Sequence, residues 1–105
     1  MATTKPDAGT LDVQDAPDPT AGRIVLYTLT ESDVQRLAND RLNAAPGLAY
    51  GNVPHAGDIV PLIVVRPWQG RLVNGQAVLD GNDRLWITSA AEGDQPGQWH
   101  YPPRV

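Results

Sequence analysis

Two polar, turn-forming stretches near the C terminus constrain this chain more than anything else in it. Asp80-Gly81-Asn82-Asp83 and Glu92-Gly93-Asp94-Gln95-Pro96-Gly97 each precede a short tryptophan-bearing run, Leu85-Trp86-Ile87-Thr88 and Gln98-Trp99-His100-Tyr101. Asp, Asn, Gly and Pro reverse a chain cheaply, so the apolar runs between them read as strands of a small antiparallel β-domain with tight connections. Residues 84–90 and 98–101 are the last two of these strands. Trp86, between Leu85 and Ile87, reads as a core anchor. Trp99 and Tyr101 alternate and so share a face opposite His100. That face is either a lid over the core or an interface, since both residue types are enriched at contact hot spots. Trp68 lies in a loop between Pro67 and Gln69-Gly70.

Upstream, residues 23–29 form the first strand, with Ile24, Leu26 and Thr28 on one face and Val25, Tyr27 and Leu29 on the other. Both faces are mostly apolar, which predicts a strand that is central or covered on both sides. Thr30 is a good N-cap, and Glu31 and Asp33 lie in the first turn, where the helix dipole favours carboxylates. Val34, Leu37, Ala38, Arg41 and Leu42 follow at helical spacing until Pro46-Gly47, giving one amphipathic helix of about three and a half turns. After a loop over residues 48–56, residues 59–65 are the strongest strand signal, and Pro61 within them demands an edge or a bulge. In residues 72–79, Asn74-Gly75 taken alone signals a hairpin turn. That turn would leave too short a strand before residues 80–83, so Gly75 reads as a bulge and the later turn as the reversal.

The fold class is therefore α+β: a small, strongly bent antiparallel sheet or partly open SH3-like barrel with one helix, over residues 23–105. Residues 1–22 read as an extended N-terminal arm, broken by Pro6, Gly9, Pro17, Pro19 and Gly22 and carrying Asp7, Asp12, Asp15 and Asp18 against Lys5. Its larger apolar side chains are Leu11 and Val13, two apart and so on one side of an extended chain, where they can dock into a neighbour's groove. With no cysteine, neither a disulfide nor a Cys-based zinc site can staple the body, and stability must come from aliphatic packing and from assembly.

No group of residues has the spacing of a reactive centre. His55, Asp58 and His100 fall on separate elements without metal-ligand spacing, and no metal is expected. Asp80-Gly81-Asn82-Asp83 resembles a fragment of a calcium loop but lacks the alternating ligands and the terminal Glu, so it reads as a turn. Asp80 and Asp83 have no companion cleft for glycosidase chemistry. Ser32 and Ser89 lack a nucleophile-elbow context, and no phosphate loop is present. Neither an enzyme nor a cofactor is expected. A formal charge of −4 argues against nucleic acid as a partner. No apolar run approaches the ~20 residues that span a bilayer, so a soluble protein made in a cytoplasm is expected. Seven arginines against one lysine, and no phenylalanine, fit a GC-rich coding sequence.

One resemblance goes further. Gly22-Arg23-Ile24-Val25, Gly57-Asp58, Pro61, Val64-Val65-Arg66, Val73-Asn74-Gly75-Gln76 and Leu79-Asp80-Gly81-Asn82-Asp83 belong to a pattern that continues through Trp86, Thr88-Ser89, Glu92-Gly93-Asp94, Pro96-Gly97 and Trp99. Across residues 22–105 this resembles a family of small proteins encoded by tailed phages of actinobacteria. The resemblance implies a non-enzymatic virion protein, a capsid decoration or minor head protein, with the major capsid protein or another virion protein as partner and a homo-oligomer also compatible. Partner contact would run through Leu11 and Val13 of the arm and through Trp68, Trp99 and Tyr101 of the body. The alternative is a soluble accessory protein that binds a host or phage protein, or a sugar, through the Trp/Tyr face.

Overall fold

The computed structural model describes residues 17–44 and 50–103. Five strands close into a barrel in the order β1 (Ile24–Thr28), β2 (Ile59–Pro67), β3 (Val73–Val78), β4 (Arg84–Glu92) and β5 (Gln98–His100), with β5 pairing back onto β1. A single helix, α1 (Glu31–Leu42), joins β1 to β2, and a 3₁₀ turn (Gln69–Arg71) joins β2 to β3. This is a small α+β fold consistent with an SH3-like barrel.

Two features differ from the expected sheet. The barrel is closed rather than partly open, and it is mixed, because β4 and β5 run parallel through Ala91↔Gln98 and Glu92↔Trp99. A parallel pair normally needs a crossover of a dozen residues or more. Here only two residue pairs at the barrel rim are matched, so the turn at residues 93–97 has no sheet to cross. Gly93 (φ 159°) and Gly97 (φ 86°) supply its backbone freedom.

Inward positions follow the period of two on every strand: Val25 and Tyr27; Leu62 and Val64; Val73, Gly75 and Ala77; Leu85 and Ile87. The phase slips after Ile87, where Ser89 adopts a positive φ of 53° and the next inward residue is Ala90. Gly75 sits inside β3, as read from the sequence, with register shifts beside it on both the β2 and β4 sides. A Cβ there would collide with the Ile63 carbonyl oxygen. Pro61 is tolerated for a definable reason. The Val64 N–H donates to the Arg23 carbonyl, so alternation turns the nitrogen of Pro61 toward β3, whose ladder with β2 begins only at Leu62↔Ala77.

One burial expectation is corrected. Trp86 is 40% exposed, not a core anchor: Leu85 and Ile87 point inward, so the residue between them must point out, opposite Gln76. The core tryptophan is Trp99, with no exposed surface. The first strand is central, as expected, paired with β2 and β5; on its outer face Ile24 is 57% exposed while Thr28 is buried.

The helix begins as its sequence predicts. Thr30 Oγ1 accepts from Asp33 N–H at 2.9 Å and the Asp33 carboxylate accepts from Thr30 N–H at 2.9 Å, a reciprocal capping box. Asp33 is buried and also accepts from Tyr27 Oη at 2.6 Å and from Arg36, so the cap ties the helix to β1. Leu37 packs fully into the core, whereas Leu42 and Ala38 on the expected apolar stripe are exposed. The helix ends at Leu42, and the expected stop at Pro46-Gly47 lies outside the described residues. At the other end Arg41 pairs with Asp83 at 2.8 Å and stacks on Tyr50, while Asp80 accepts from the Asn52 backbone and side chain. Both aspartates of the 80–83 turn thus have structural partners.

Two measurements check this assignment. Trp99→Ala is expected to destabilise the domain by about 3–5 kcal/mol, enough to unfold it, whereas Trp86→Ala costs about 1 kcal/mol or less, each read from denaturant midpoints. Burial pushes the Asp33 carboxyl up, but the hydrogen bonds from Tyr27, Thr30 and Arg36 outweigh it and hold it below its ordinary 3.8. Its contribution is therefore complete above that value and lost as pH falls through the lower folded value. Asp33→Asn should lower stability at neutral pH and flatten the acid limb of the stability profile below about pH 4.

Candidate functional site

The most elaborated surface lies at the end of the barrel where the 3₁₀ turn, β5 and the root of the arm meet. Its pivot is Arg71. Gly70 (φ 71°) and Arg71 (φ 63°) are both left-handed, and the tight reversal is closed by the Trp68 N–H donating to the Leu72 carbonyl at 2.6 Å. A non-glycine residue in this region costs of order 1 kcal/mol. The conformation turns the Arg71 carbonyl inward, where it accepts from Trp99 Nε1 at 2.9 Å and satisfies the one polar atom of the core indole.

The Arg71 side chain then organises the surface above. Its Nε and Nη2 hold both carboxylate oxygens of Glu92 at 2.7 and 3.2 Å, the bidentate geometry arginine favours, and Nη1 reaches Asp18 at 2.8 Å. The guanidinium lies within 6.0 Å of the ring centres of both Trp99 and Tyr101. The Glu92 hydrogen bonds raise its pKa above the ordinary arginine value, against the opposing effect of burial, so it stays cationic.

Tyr101 packs edge-on against Trp99, with ring centres 5.2 Å apart, and lies under the Arg23 guanidinium at 5.1 Å. Its hydroxyl donates to the Pro17 carbonyl at 2.6 Å. Pro19, two residues on, is buried. A cleft of about 330 Å³ continues from it along Pro67, Trp68 and Gly70. An aromatic hydroxyl on a carbonyl, an arginine on an acidic side chain and a pocket for a proline ring are the elements by which aromatic grooves hold extended proline-containing segments. Here the segment held is the chain's own Pro17-Asp18-Pro19. The Gly22 N–H then donates to the Val64 carbonyl at 2.7 Å, so the root of the arm extends the pairing of β1 with β2.

The five expected contact residues are therefore separated. Leu11 and Val13 lie outside the described residues. Trp99 is corrected: fully buried, it is the support of the site and presents nothing to a partner. Alternation does put Tyr101 beside it, and the pair is the lid rather than an open face. Tyr101 is half-buried and already holds Pro17, while Trp68 is 48% exposed with Arg66 stacked 5.3 Å from its ring. Residues 17–22, which the sequence places in the arm, touch the barrel through hydrogen bonds at Pro17, Asp18 and Gly22 and through the buried Pro19; the residues before them lie outside the described ones. Arg71, Glu92 and Asp18 went unnoticed in the sequence, where only the spacing Pro17-x-Pro19 around an aspartate hinted at a docked extended segment.

Elsewhere, the His55 N–H donates to the Asp58 carboxylate at 2.8 Å within its own turn. Among the described residues no group of three or more His, Asp or Glu converges as a metal site would require, and no helix is long and apolar enough to cross a membrane. Comparison of the chain with protein-family models, with curated proteins and with solved structures finds no match. The phage-family resemblance thus remains one of motifs alone.

The Tyr101–Pro17 bond can be removed without disturbing the ring. Tyr101→Phe should weaken the arm root by about 1 kcal/mol. Amide exchange at Gly22 should accelerate several-fold while the exchange of core β-strand amides is unchanged. Equal rates at Gly22 in the two proteins would mean that the hydroxyl holds nothing.

Proposed function

We propose that the protein is a non-enzymatic assembly protein, a capsid decoration or minor head protein of a phage virion, which uses its N-terminal arm to contact neighbouring subunits. One observation carries this reading: the arm is joined to the barrel through a clamp of Tyr101 on Pro17 and Arg71 on Asp18. An arm that makes contacts needs a defined point of departure from its body. A root held at three consecutive residues fixes the launch point and reduces the ordering cost of each contact. The sixteen residues before Pro17 can reach up to roughly 55 Å when extended, enough to cross onto a neighbour.

Leu11 and Val13 are the anchors this reading assigns to the arm. Each contributes roughly 1.5–3 kcal/mol when buried, and repetition over a symmetric shell turns a weak contact into stable occupancy. The full-length Leu11→Asp, Val13→Asp double variant should lose most of its binding to capsids stripped of this protein, measured by co-sedimentation. Undiminished binding would remove the stitching role. The exposed Trp68 with its stacked Arg66 favours a second reading, an accessory protein that holds a protein or a sugar on that ring. Trp68→Ala abolishes binding under the second reading, whereas under the first, where Trp68 adds to Leu11 and Val13 of the arm, it only weakens it.

A further inference from the structure

We infer that the clamp is an exchangeable joint, and that the partner it fits is a second copy of this chain: the Pro17-Asp18-Pro19 segment of one molecule seats on the Arg71–Tyr101–Trp68 groove of another. The inference goes beyond the virion reading, because it names a self-contact and stands on the clamp and its hinge alone. The three anchors of the arm root, the Pro17 carbonyl, the Asp18 carboxylate and the buried Pro19, belong to residues 17–19, and Tyr101 and Arg71, which hold the first two, lie on the far side of a single turn. That turn spans residues 20–23, closed by the Arg23 N–H donating to the Thr20 carbonyl at 3.0 Å, with Gly22 at φ 90°.

Opening this turn moves the segment off its own barrel without altering the segment or the groove. Seated on a second copy, it regains the same tyrosine hydrogen bond, the same arginine–carboxylate pair and the same burial of Pro19. Nothing new has to be recognised, which is why exchange of a terminal element is a low-cost route to self-association. What keeps the joint closed in a dilute monomer is the high effective concentration of a segment tethered by a short turn. Crowding of copies on one surface removes that advantage. The prolines hold the segment extended in either state, so little conformational freedom is lost on transfer. The Asp18 side chain is 88% exposed even when paired, so the ion pair opens to solvent without a buried charge being stranded.

Gly22 gives a clean probe. A Cβ at this position meets nothing within 4 Å, so a substitution strains only the positive φ of the closed turn and favours its extended, open form. Full-length Gly22→Val should self-associate more strongly than the wild type in sedimentation equilibrium, by roughly tenfold for each hinge relaxed. Near-UV circular dichroism should report an unchanged Trp99 core. Adding Tyr101→Phe and Asp18→Asn to Gly22→Val should return the association toward the wild-type value. A folded Gly22→Val protein that associates no more than the wild type overturns the inference. So does association that persists with Tyr101→Phe and Asp18→Asn, which would place the contact elsewhere, such as on the exposed Ile24 and Ile59 face. A monomeric Gly22→Val protein that binds a synthetic peptide of residues 14–22 would give the groove to another partner and also overturns it. Exchange in solution without capsid binding would keep this inference and reject the virion reading, and the reverse result would do the opposite.

Discussion

Closure of this barrel depends on one side chain. The strand that completes it, β5, is three residues long and touches its parallel neighbour at only two positions, too few backbone hydrogen bonds to hold a strand in water. Trp99 supplies what the ladder lacks. It is the largest fully buried side chain, and its strand pairs with β1 on one side and β4 on the other, so its burial fixes both seams at once. An indole inside a core carries one donor that must be satisfied. That donor selects the Arg71 carbonyl, and with it the left-handed turn at residues 70–71.

Core and surface site are coupled through this hydrogen bond. The positive φ of Arg71 is strain of order 1 kcal/mol that a surface turn would ordinarily shed. It persists because the carbonyl is committed to the indole and the side chain to Glu92, on the strand that β5 must join. The guanidinium therefore stands over Trp99 and Tyr101 in a fixed orientation, and the arm root meets an already organised groove. A residue with a backbone role beneath and a side-chain role above is poorly replaced by lysine, which has neither the fork for Glu92 nor a third donor directed at Asp18.

What could be read from the sequence was local. The Thr30 N-cap with Asp33 in the first turn, the reversal at residues 80–83, the turn at 92–97 and the placement of Gly75 inside a strand rather than in a hairpin turn each rest on chemistry within a few residues, whereas the bulge read at Gly75 falls on its neighbours in β2 and β4. What failed was partition between faces. Leu85 and Ile87 made Trp86 look like a core residue, yet in a strand the neighbours of an inward pair point outward, and the same alternation should have set Trp86 aside. For Trp99 the sequence left lid and interface both open, because its strand is short and terminal and its burial comes from long-range pairing with β1. The parallel seam had no local signal at all, since a turn of that length ordinarily marks a hairpin. Pro17 and Pro19 were legible as breakers of regular structure, but not that Pro19 is buried, which depends on a groove assembled from residues about fifty and eighty positions away.

The energies divide the molecule into two parts with different tasks. The Trp99 core is worth several kcal/mol, and its loss is loss of the fold. The arm root is held by two neutral hydrogen bonds, at Pro17 and Gly22, one solvent-exposed ion pair and a buried proline, each of order 1 kcal/mol. Contacts of that size open and close many times during the life of the folded barrel. Added to a body that stays intact, they make a joint rather than a strut. Among the described residues, Arg71 and Arg23 present positive charge where Asp18 of the arm root meets the barrel. Proline on either side of Asp18 narrows the conformations the segment can take when released. A joint built this way is weak in a single molecule and becomes strong only by repetition.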